Sequence, residues 1–389
     1  DDQGIYIPLD HTEFENLPMK YLTEYIFPIL EKVPLVTHNG IFDYKVLYDI
    51  GCKPNIKYDS HLLLFNICSK VSKGSKALKS VVHLLYNINT LEFSNIFGDT
   101  TEYGLFRHIS EDVCRIYACA DAEYPVRIVK DNIDFLKGQA LTTYLRDCSL
   151  IPVIATSEYY GKPIDMELLP KHRDICINNI RTLEELLYNY VGWKLSGDIN
   201  ARYEFKDSST KDLIDLLYNK LNYKPVDKKT KTGWKIDKAV LKKLSEQKIS
   251  EPDEFFKLKL EKDIENQLDK KVPLVSKNKI MYCYCPIAML IIKIRDQRKK
   301  LSTFFNKIYR ESNKDTGFYY SSISMTNTET SRLVDFIQVL DGDLKYLVSA
   351  KFLPDRYMFV FDFAQIEYRV IAALACLHGL CNKLDNSHT

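Results

Sequence analysis

YMFVFDFAQIEYR, residues 357–369, joins a buried-strand pattern to a helical pattern through a single carboxylate. Residues 357–361 form an apolar run rich in aromatic and β-branched side chains, which is typical of a buried strand. From Ile366 onward, apolar residues recur at helical spacing, and Gly379 is a suitable helix stop. Asp362 is therefore predicted at the C-terminal end of a strand, where a carboxylate is well placed to hold Mg²⁺. An aspartate in this position also commonly serves as a helix cap, so the pattern alone leaves both interpretations open.

The complete string is more specific than its pattern. DFAQIEYR, followed by VIAAL, resembles motif A of the family A DNA polymerases, the bacterial DNA polymerase I-like group. The resemblance implies that Asp362 binds both catalytic metal ions, with the carbonyl of Phe363 as a further ligand. It also implies that Glu367 packs under the sugar and excludes ribonucleotides. Mg²⁺ in a two-metal site is then the expected cofactor, and a DNA primer–template and a dNTP are the expected partners.

Composition limits the possibilities only broadly. The 389 residues are enough for two or three domains, and 46% hydrophobic and 27% charged residues are ordinary for a globular protein. The net charge of +2 does not by itself indicate nucleic acid, so any basic surface must be local. No signal peptide, transmembrane run or zinc-type cysteine spacing is recognisable. We therefore expect an intracellular protein without a membrane partner, in cytoplasm or nucleoid, with an organelle or an infected host cell left open.

Two pairs of residues in the first third share a spacing of four. Asn39 and Asp43 lie where a predicted strand meets a helix, and Tyr117 and Asp121 lie on a predicted helix spanning 111–132. This spacing places each pair on one helix face. Each pair alone has an ordinary explanation, since Asn39 can cap a helix and the other three can be solvated polar residues.

Taken in order, HNGIFD and YACAD resemble the second and third motifs of the DEDD 3′–5′ exonucleases, and Asp59 matches a further family position. The resemblance implies that Asp43 and Asp121 hold or orient divalent metals, and that Tyr117 positions the attacking water. Together with Asn39, these residues form the predicted exonuclease motif. The first family motif, Asp-x-Glu, is not found ahead of the opening strand, so we expect an incomplete metal site in this chain.

The middle of the chain carries predicted DNA contacts. Residues 168–190 form a long amphipathic pattern compatible with a thumb helix, and Ser208 and Ser209 precede a helix whose free amides are suited to phosphate. The helical pattern at 291–309 resembles the family helix that follows the DNA minor groove. That resemblance implies contacts from Arg295, Lys299, Ser302 and Thr303. Such phosphate contacts are independent of sequence and sensitive to salt, whereas solvated charge is the ordinary alternative.

The run into the last third supplies two further predicted contacts. TETSRL, residues 328–333, resembles the family's Thr-Gly-Arg-Leu motif, with Ser331 in place of the usual glycine. The resemblance implies that Arg332 contacts the primer–template backbone. Gln338 matches a template-contacting glutamine within a segment that is shortened relative to the family.

These observations predict a multidomain protein of the α/β and α+β classes. We expect an incomplete RNase H-like DEDD exonuclease-type domain at 1–136, a helical thumb at 137–316 and the first part of a polymerase palm at 317–389. The predicted function is DNA-directed DNA polymerisation, a template-directed nucleotidyl transfer in replication or repair, with an associated 3′–5′ exonuclease-type domain.

The family's nucleotide-binding fingers helix and its His-Asp-Glu motif are not found after motif A. We therefore expect a fragment that is inactive as a polymerase by itself. A 3′–5′ exonuclease alone and a non-catalytic nucleic-acid-binding remnant are the alternatives. The charged segment at 249–281 has no predicted role.

Overall fold

The computed structural model describes residues 4–68, 77–98, 100, 104–227, 233–259, 276–328, 332–340, 342–351, 353, 357–359, 362 and 364–377. Within these ranges the protein is rich in helices, and its strands are short. Across the same ranges, no helix combines the length and apolar character needed to span a membrane.

The N-terminal third packs helices around a small parallel sheet. Strand β1 (Leu35–Thr37) pairs in parallel with β2 (Ile56–Asp59), and Thr37 lies opposite Asp59 in the register. The helices are α1 (Met19–Tyr21), α2 (Phe27–Leu30), α3 (Ile41–Asp49), α4 (Ser60–Ile67), α5 (Leu78–Tyr86), α6 (Phe93–Phe97) and α7 (Glu111–Asn132). A π-helical turn (Leu22–Ile26) joins α1 to α2, and a 3₁₀ turn (Leu105–His108) precedes α7. The predicted long helix at 111–132 is confirmed, and it continues through Pro125.

Two further helices complete the core of this third. After a 3₁₀ turn at Ile133–Phe135, α8 (Gln139–Ser149) and α9 (Ile151–Tyr160) follow in the chain. The fully buried Tyr144 of α8 belongs to the same hydrophobic cluster as residues of α3, α4 and β2. The predicted boundary at 136/137 thus falls just before helices that pack into the preceding unit, and the domain limits remain a prediction.

One long helix organises the middle of the chain. The predicted thumb helix is present as α10 (Leu168–Ser196), which packs along α15 (Pro286–Lys299). Helix α15 continues through a π-helical stretch (Lys300–Phe305) into α16 (Asn306–Glu311), so the predicted helix at 291–309 is also confirmed. The shorter helices beside this pair are α11 (Thr210–Ile214) with a π-helical extension (Asp215–Lys220), α12 (Lys238–Glu246), α13 (Glu254–Lys259) and α14 (Lys277–Met281).

The segment without a predicted role contributes to the core beside α10. Phe255 and Phe256 are fully buried against Tyr190, with ring centroids 5.3 Å and 5.2 Å from the tyrosine ring. The Tyr190 hydroxyl donates to Asp253 at 2.8 Å, and Lys194 pairs with the same carboxylate at 3.0 Å. Residues 253–256 are therefore part of the helical core, although two acids followed by two phenylalanines gave no such signal in the sequence.

The strands outside the first third form two short antiparallel pairings. Strands β3 (Lys162–Pro163) and β4 (Phe318–Tyr319) pair antiparallel, as do β5 (Ile323–Ser324) and β6 (Val334–Asp335). A 3₁₀ turn (Phe336–Val339), α17 (Gly342–Lys345) and α18 (Ile366–Leu377) complete the elements.

The predicted strand before Asp362 is wrong for the residues that are described. Tyr357, Met358 and Phe359 lie outside any strand, and their side chains are 83%, 44% and 76% exposed. A strand needs a sheet to take up its backbone hydrogen bonds, and the three two-stranded sheets of the described residues are built from other segments. The predicted helix after the motif is confirmed as α18, whereas Gly379 lies outside the described residues.

Candidate active site

A buried carboxylate shapes the turn that carries the first predicted pair. Asp59 is fully buried and accepts hydrogen bonds from Thr37 Oγ1 at 2.9 Å, Gly40 N at 2.7 Å and Leu62 N at 2.9 Å. The first two contacts close the turn between β1 and α3, and the third caps α4. Because its oxygens are engaged by these donors, Asp59 acts in the structure as the anchor of the turn.

Backbone geometry explains the two residues at the apex of this turn. Asn39 has a φ of 65°, a left-handed conformation that asparagine tolerates better than most residues. A Cβ added to Gly40 would lie 2.2 Å from Thr37 Oγ1, so only glycine fits against the strand. The turn therefore fixes where α3 begins, and with it the position of Asp43 in the first helical turn.

The structure brings four of the five predicted exonuclease-motif residues to one cleft. Asn39 and Asp43 line one side, and Tyr117 and Asp121 on α7 line the other side of a cleft of about 780 Å³. Asp59 does not line this cleft and lies beneath the turn instead. The spacing of four residues in both helical pairs is therefore compatible with a common site.

The aromatic wall of the cleft holds Tyr117 in place. Phe106 lies 5.3 Å from the Tyr117 ring, centroid to centroid, and itself contacts Phe97 at 5.1 Å. Burial, followed by the negative charge of Asp121, raises the pKa of Tyr117. Tyr117 is therefore a neutral hydroxyl at physiological pH, able to donate one hydrogen bond and to accept others.

Asp43 has an altered acidity in the cleft. Burial, followed by the charge of Asp59 and, less strongly, that of Asp121, raises the pKa of Asp43 to about 6. A backbone hydrogen bond opposes this effect without cancelling it. Asp43 thus titrates closer to neutral pH than an ordinary aspartate.

Sequence reasoning missed a lysine in the same cleft. Lys79, in the first turn of α5, forms an ion pair with Asp121, and its ammonium group lies 4.5 Å from the centroid of the Tyr117 ring. Its side chain is only 18% exposed, so the charge is directed inward. No motif marks this residue, because a lysine near a helix start is indistinguishable in sequence from a solvated charge.

The described residues do not fit a two-metal site. A divalent ion with hard-oxygen preference needs several converging carboxylates, and no group of three candidate ligands occurs within the described ranges. Asp121 is already engaged by Lys79, and Asp59 by backbone and threonine donors. We therefore assign no reaction step through a metal at this cleft.

The motif A residues lie on an exposed part of the chain. Asp362 and Glu367 are exposed, and Glu367 stands in the first turn of α18. Phe363 lies outside the described residues. Neither carboxylate belongs to a group of three possible metal ligands in the part of the chain that the structure describes.

The predicted DNA contacts on α15 and the following turn differ in availability. Lys299, Ser302 and Thr303 are exposed. Arg295, by contrast, donates to the backbone carbonyl of Asp207 at 2.6 Å, so part of its guanidinium is used inside the protein. Ser209 caps α11 through its hydroxyl at 3.3 Å from Asp212 N, while Ser208 beside it is exposed.

The two later predicted contacts also have structural partners. The backbone of Arg332 is held by Thr328 Oγ1, with its amide at 2.9 Å and its carbonyl at 3.1 Å, and the residue is exposed. Gln338 is exposed, and its side-chain oxygen accepts from Asp335 N at 3.3 Å. Arg332 therefore keeps its guanidinium on the surface, whereas Gln338 contributes to a capping interaction.

Comparison with known proteins places these features in context. No protein-family model matches the chain. DNA polymerase I of Pseudomonas aeruginosa is 25% identical over 400 residues, which covers 97% of this chain and 38% of the relative. DNA polymerase I of Borreliella burgdorferi is 23% identical over 399 residues, covering 99% of this chain and 38% of the relative. The chain resembles family A DNA polymerases of the DNA polymerase I type over nearly its whole length.

A solved structure supports the same likeness at the level of fold. The POL domain of Pol1 from M. smegmatis, in complex with DNA primer-template and dNTP, matches with a TM-score of 0.51 and 16% identity. The match covers 80% of this chain and 43% of that chain. The predicted resemblance to DNA polymerase I is thus confirmed, together with a helix-rich α/β fold. The RNase H-like arrangement of the first third stays a prediction.

Proposed function

We propose that this chain is part of a family A DNA polymerase that extends a DNA primer on a template. The reaction would be attack of the primer 3′-hydroxyl on the α-phosphate of a dNTP, as a step of replication or repair inside the cell. The observation that carries the proposal is the similarity to DNA polymerase I across 97% of the chain. The chain spans 38% of the length of that relative, so the proposal concerns the protein to which these residues belong.

The proposed domains follow one another along the chain. An exonuclease-type domain at 1–136 precedes a thumb at 137–316, and the start of the palm at 317–389 contributes Asp362 and Glu367. The pair of α10 and α15, with exposed Lys299, Ser302 and Thr303 near its end, supports the thumb assignment. Asp362 and the carbonyl of Phe363 are the proposed metal ligands from this chain, and Glu367 is the proposed selector against ribonucleotides.

Primer extension tests the polymerase proposal directly. The complete gene product, incubated with a labelled primer–template, Mg²⁺ and dNTPs, is expected to extend the primer, and Asp362→Asn is expected to abolish extension. Glu367→Ala is expected to admit ribonucleotides while it leaves DNA binding intact. Asp174→Asn, at an exposed position on α10, is the matched control. Full extension by the Asp362→Asn protein would contradict the assigned role.

The cleft of Asn39, Asp43, Tyr117 and Asp121 favours a second candidate function, action at a DNA 3′ end. Its volume of about 780 Å³ and its aromatic wall are suitable for a terminal nucleotide. Digestion of a 5′-labelled single strand tests this function. Tyr117→Phe and Asp43→Asn are each expected to slow the digestion. Retained DNA binding without digestion would favour the non-catalytic alternative for this cleft.

A further inference from the structure

Lys79 is the residue of the cleft that the nuclease-like interpretation does not use. It reaches inward from the first turn of α5 and pairs with Asp121 across the interface with α7. The Lys79 and Asp121 side chains are 18% and 33% exposed, so the pair is partly shielded from water. Shielding strengthens the attraction between opposite charges, provided that both ions stay paired.

The geometry places the ammonium group between two functional side chains. The Lys79 nitrogen contacts an Asp121 carboxylate oxygen and at the same time lies 4.5 Å from the Tyr117 ring centroid, within the range of a cation–π interaction. A divalent ion bound to Asp121 would therefore meet an existing positive charge at its own ligand. Two cations sharing one carboxylate repel each other, and the resident one is covalently attached to the fold.

We propose that Lys79 is a built-in cation that occupies Asp121 and keeps divalent metal ions from binding this carboxylate. The Lys79 ammonium group then neutralises the Asp121 carboxylate, and Asp121 becomes available to a metal only when that ammonium group is removed. This role departs from the two-metal pattern that the exonuclease motifs imply. It rests on the geometry of the cleft and is independent of the proposed polymerase function.

Metal binding by the 389-residue chain tests the proposal without reference to activity. Free Mn²⁺ is measured by electron paramagnetic resonance during titration of the wild-type chain, Lys79→Met, Asp121→Asn and the double variant. Lys79→Met is expected to bind Mn²⁺ about tenfold more tightly than wild type, since removal of one competing charge at a shielded site changes affinity by about this factor. The added Asp121→Asn change is expected to abolish the gain.

A matched control comes from a second lysine pair of similar burial. Lys162 is also 18% exposed and pairs with the buried Asp335 at 2.9 Å, outside the cleft. Lys162→Met is expected to leave Mn²⁺ affinity unchanged, because the Asp335 carboxylate also accepts from Ser321 Oγ at 2.7 Å and from Ile337 N at 3.2 Å and so stays engaged. A gain in Lys162→Met equal to that in Lys79→Met would overturn the proposal.

The wild-type background supplies a test that does not require the Lys79 variant to fold. Asp121→Asn alone is expected to leave Mn²⁺ binding by the chain unchanged, because Lys79 already excludes the metal there. A clear loss of Mn²⁺ affinity in Asp121→Asn would show that the carboxylate binds metal beside the lysine and would refute the inference. Lys79→Arg, which keeps the positive charge, is expected to bind Mn²⁺ as weakly as wild type.

Discussion

Asp43 is the residue of the cleft whose burial most affects its acidity. Its pKa is raised to about 6 by burial first and by the charges of Asp59 and Asp121 next. A carboxyl group that holds its proton more tightly in the folded state than in the unfolded state favours folding at low pH. That contribution is lost as the pH rises from near 4, the ordinary value, through about 6.

Asp43→Asn is therefore expected to stabilise the protein at neutral pH. At pH 7.5 the variant should gain about 2 kcal/mol in free energy of unfolding, since a raised pKa of this size corresponds to at most about 3 kcal/mol. At pH 4 the difference should largely vanish. Urea unfolding of wild type, Asp43→Asn and the surface control Asp174→Asn at both pH values measures this. Equal stability of wild type and Asp43→Asn at pH 7.5 would contradict the raised pKa.

Asp59 illustrates how one buried carboxylate positions a site without entering it. Replacement by alanine would leave the Gly40 and Leu62 amides and the Thr37 hydroxyl without their acceptor. We expect a loss of about 3 kcal/mol in free energy of unfolding, because buried donors left unsatisfied each cost about 1 to 3 kcal/mol. Thr37→Val, which removes one donor only, should cost about 1 kcal/mol. Denaturant unfolding of both variants makes the comparison, and a cost for Asp59→Ala no larger than that for Thr37→Val would argue against the anchoring role.

At the scale of elements, Glu158 of α9 links three parts of the chain. It is 6% exposed, accepts from Lys45 of α3 at 2.6 Å, and accepts from the backbone amide of Ile323 in β5. The hydrophobic core of the first third is thereby attached to the hairpin of β5 and β6. A single glutamate in a helix of mixed polarity gave no indication of this link in the sequence.

A double-mutant cycle on this link is expected to reveal strong coupling. Glu158→Gln keeps an acceptor for Ile323 and removes the charge, whereas Lys45→Met removes the cation. Each single change leaves a partly shielded charge without its partner. The losses in free energy of unfolding of the two single variants should therefore add up to more than the loss of the double variant, by about 1 to 2 kcal/mol. Unfolding in urea of the four proteins measures the cycle. Additive effects within about 0.5 kcal/mol would show that the pair is energetically unimportant.

The sequence predicted elements well where local periodicity decides the structure. The helices at 111–132, 168–190 and 291–309 are all present, and α18 begins at the predicted Ile366. The strand before Asp362 was predicted from the same kind of pattern and is absent at 357–359, because a strand depends on a partner that periodicity does not encode.

The same distinction applies to the candidate site. The resemblance to the exonuclease motifs singled out Asn39, Asp43, Tyr117 and Asp121, which the structure brings to one cleft, and also Asp59, which lies beneath the turn. The sequence did not indicate Lys79, because the lysine reaches Asp121 only through the packing of α5 on α7.

At the scale of the whole molecule, the net charge of +2 does not show that some basic residues form internal ion pairs while others are exposed. Arg298 donates to both carboxylate oxygens of Asp207, at 2.9 Å and 2.7 Å, and to Glu184 at 2.7 Å. Together with Arg295, it therefore fastens the 207 region to α10 and α15. Lys299, one residue away, is exposed and remains available to a partner.

Arg298→Ala and Lys299→Ala should consequently fail in different ways. We expect Arg298→Ala to lower the free energy of unfolding by about 2 kcal/mol, because it leaves two carboxylates without their shared partner. Lys299→Ala should change stability by less than about 0.5 kcal/mol, as is usual for an exposed substitution. Urea unfolding separates the two. A destabilisation by Lys299→Ala as large as that by Arg298→Ala would show that the exposed lysine has a structural role.

DNA binding by the 389-residue chain then connects this division to the proposed function. Anisotropy of a labelled primer–template should show an affinity that falls steeply with salt, because phosphate contacts release counterions. Lys299→Ala and Arg332→Ala should each weaken binding and reduce the slope of log affinity against log salt by about one, independently of DNA sequence. Lys20→Ala, an exposed lysine on α1 paired with Glu24, should leave the slope unchanged. Because a lost phosphate contact lowers the salt slope whereas a loosened fold lowers affinity at every salt concentration, an unchanged slope in both Lys299→Ala and Arg332→Ala would remove these residues from the proposed DNA interface.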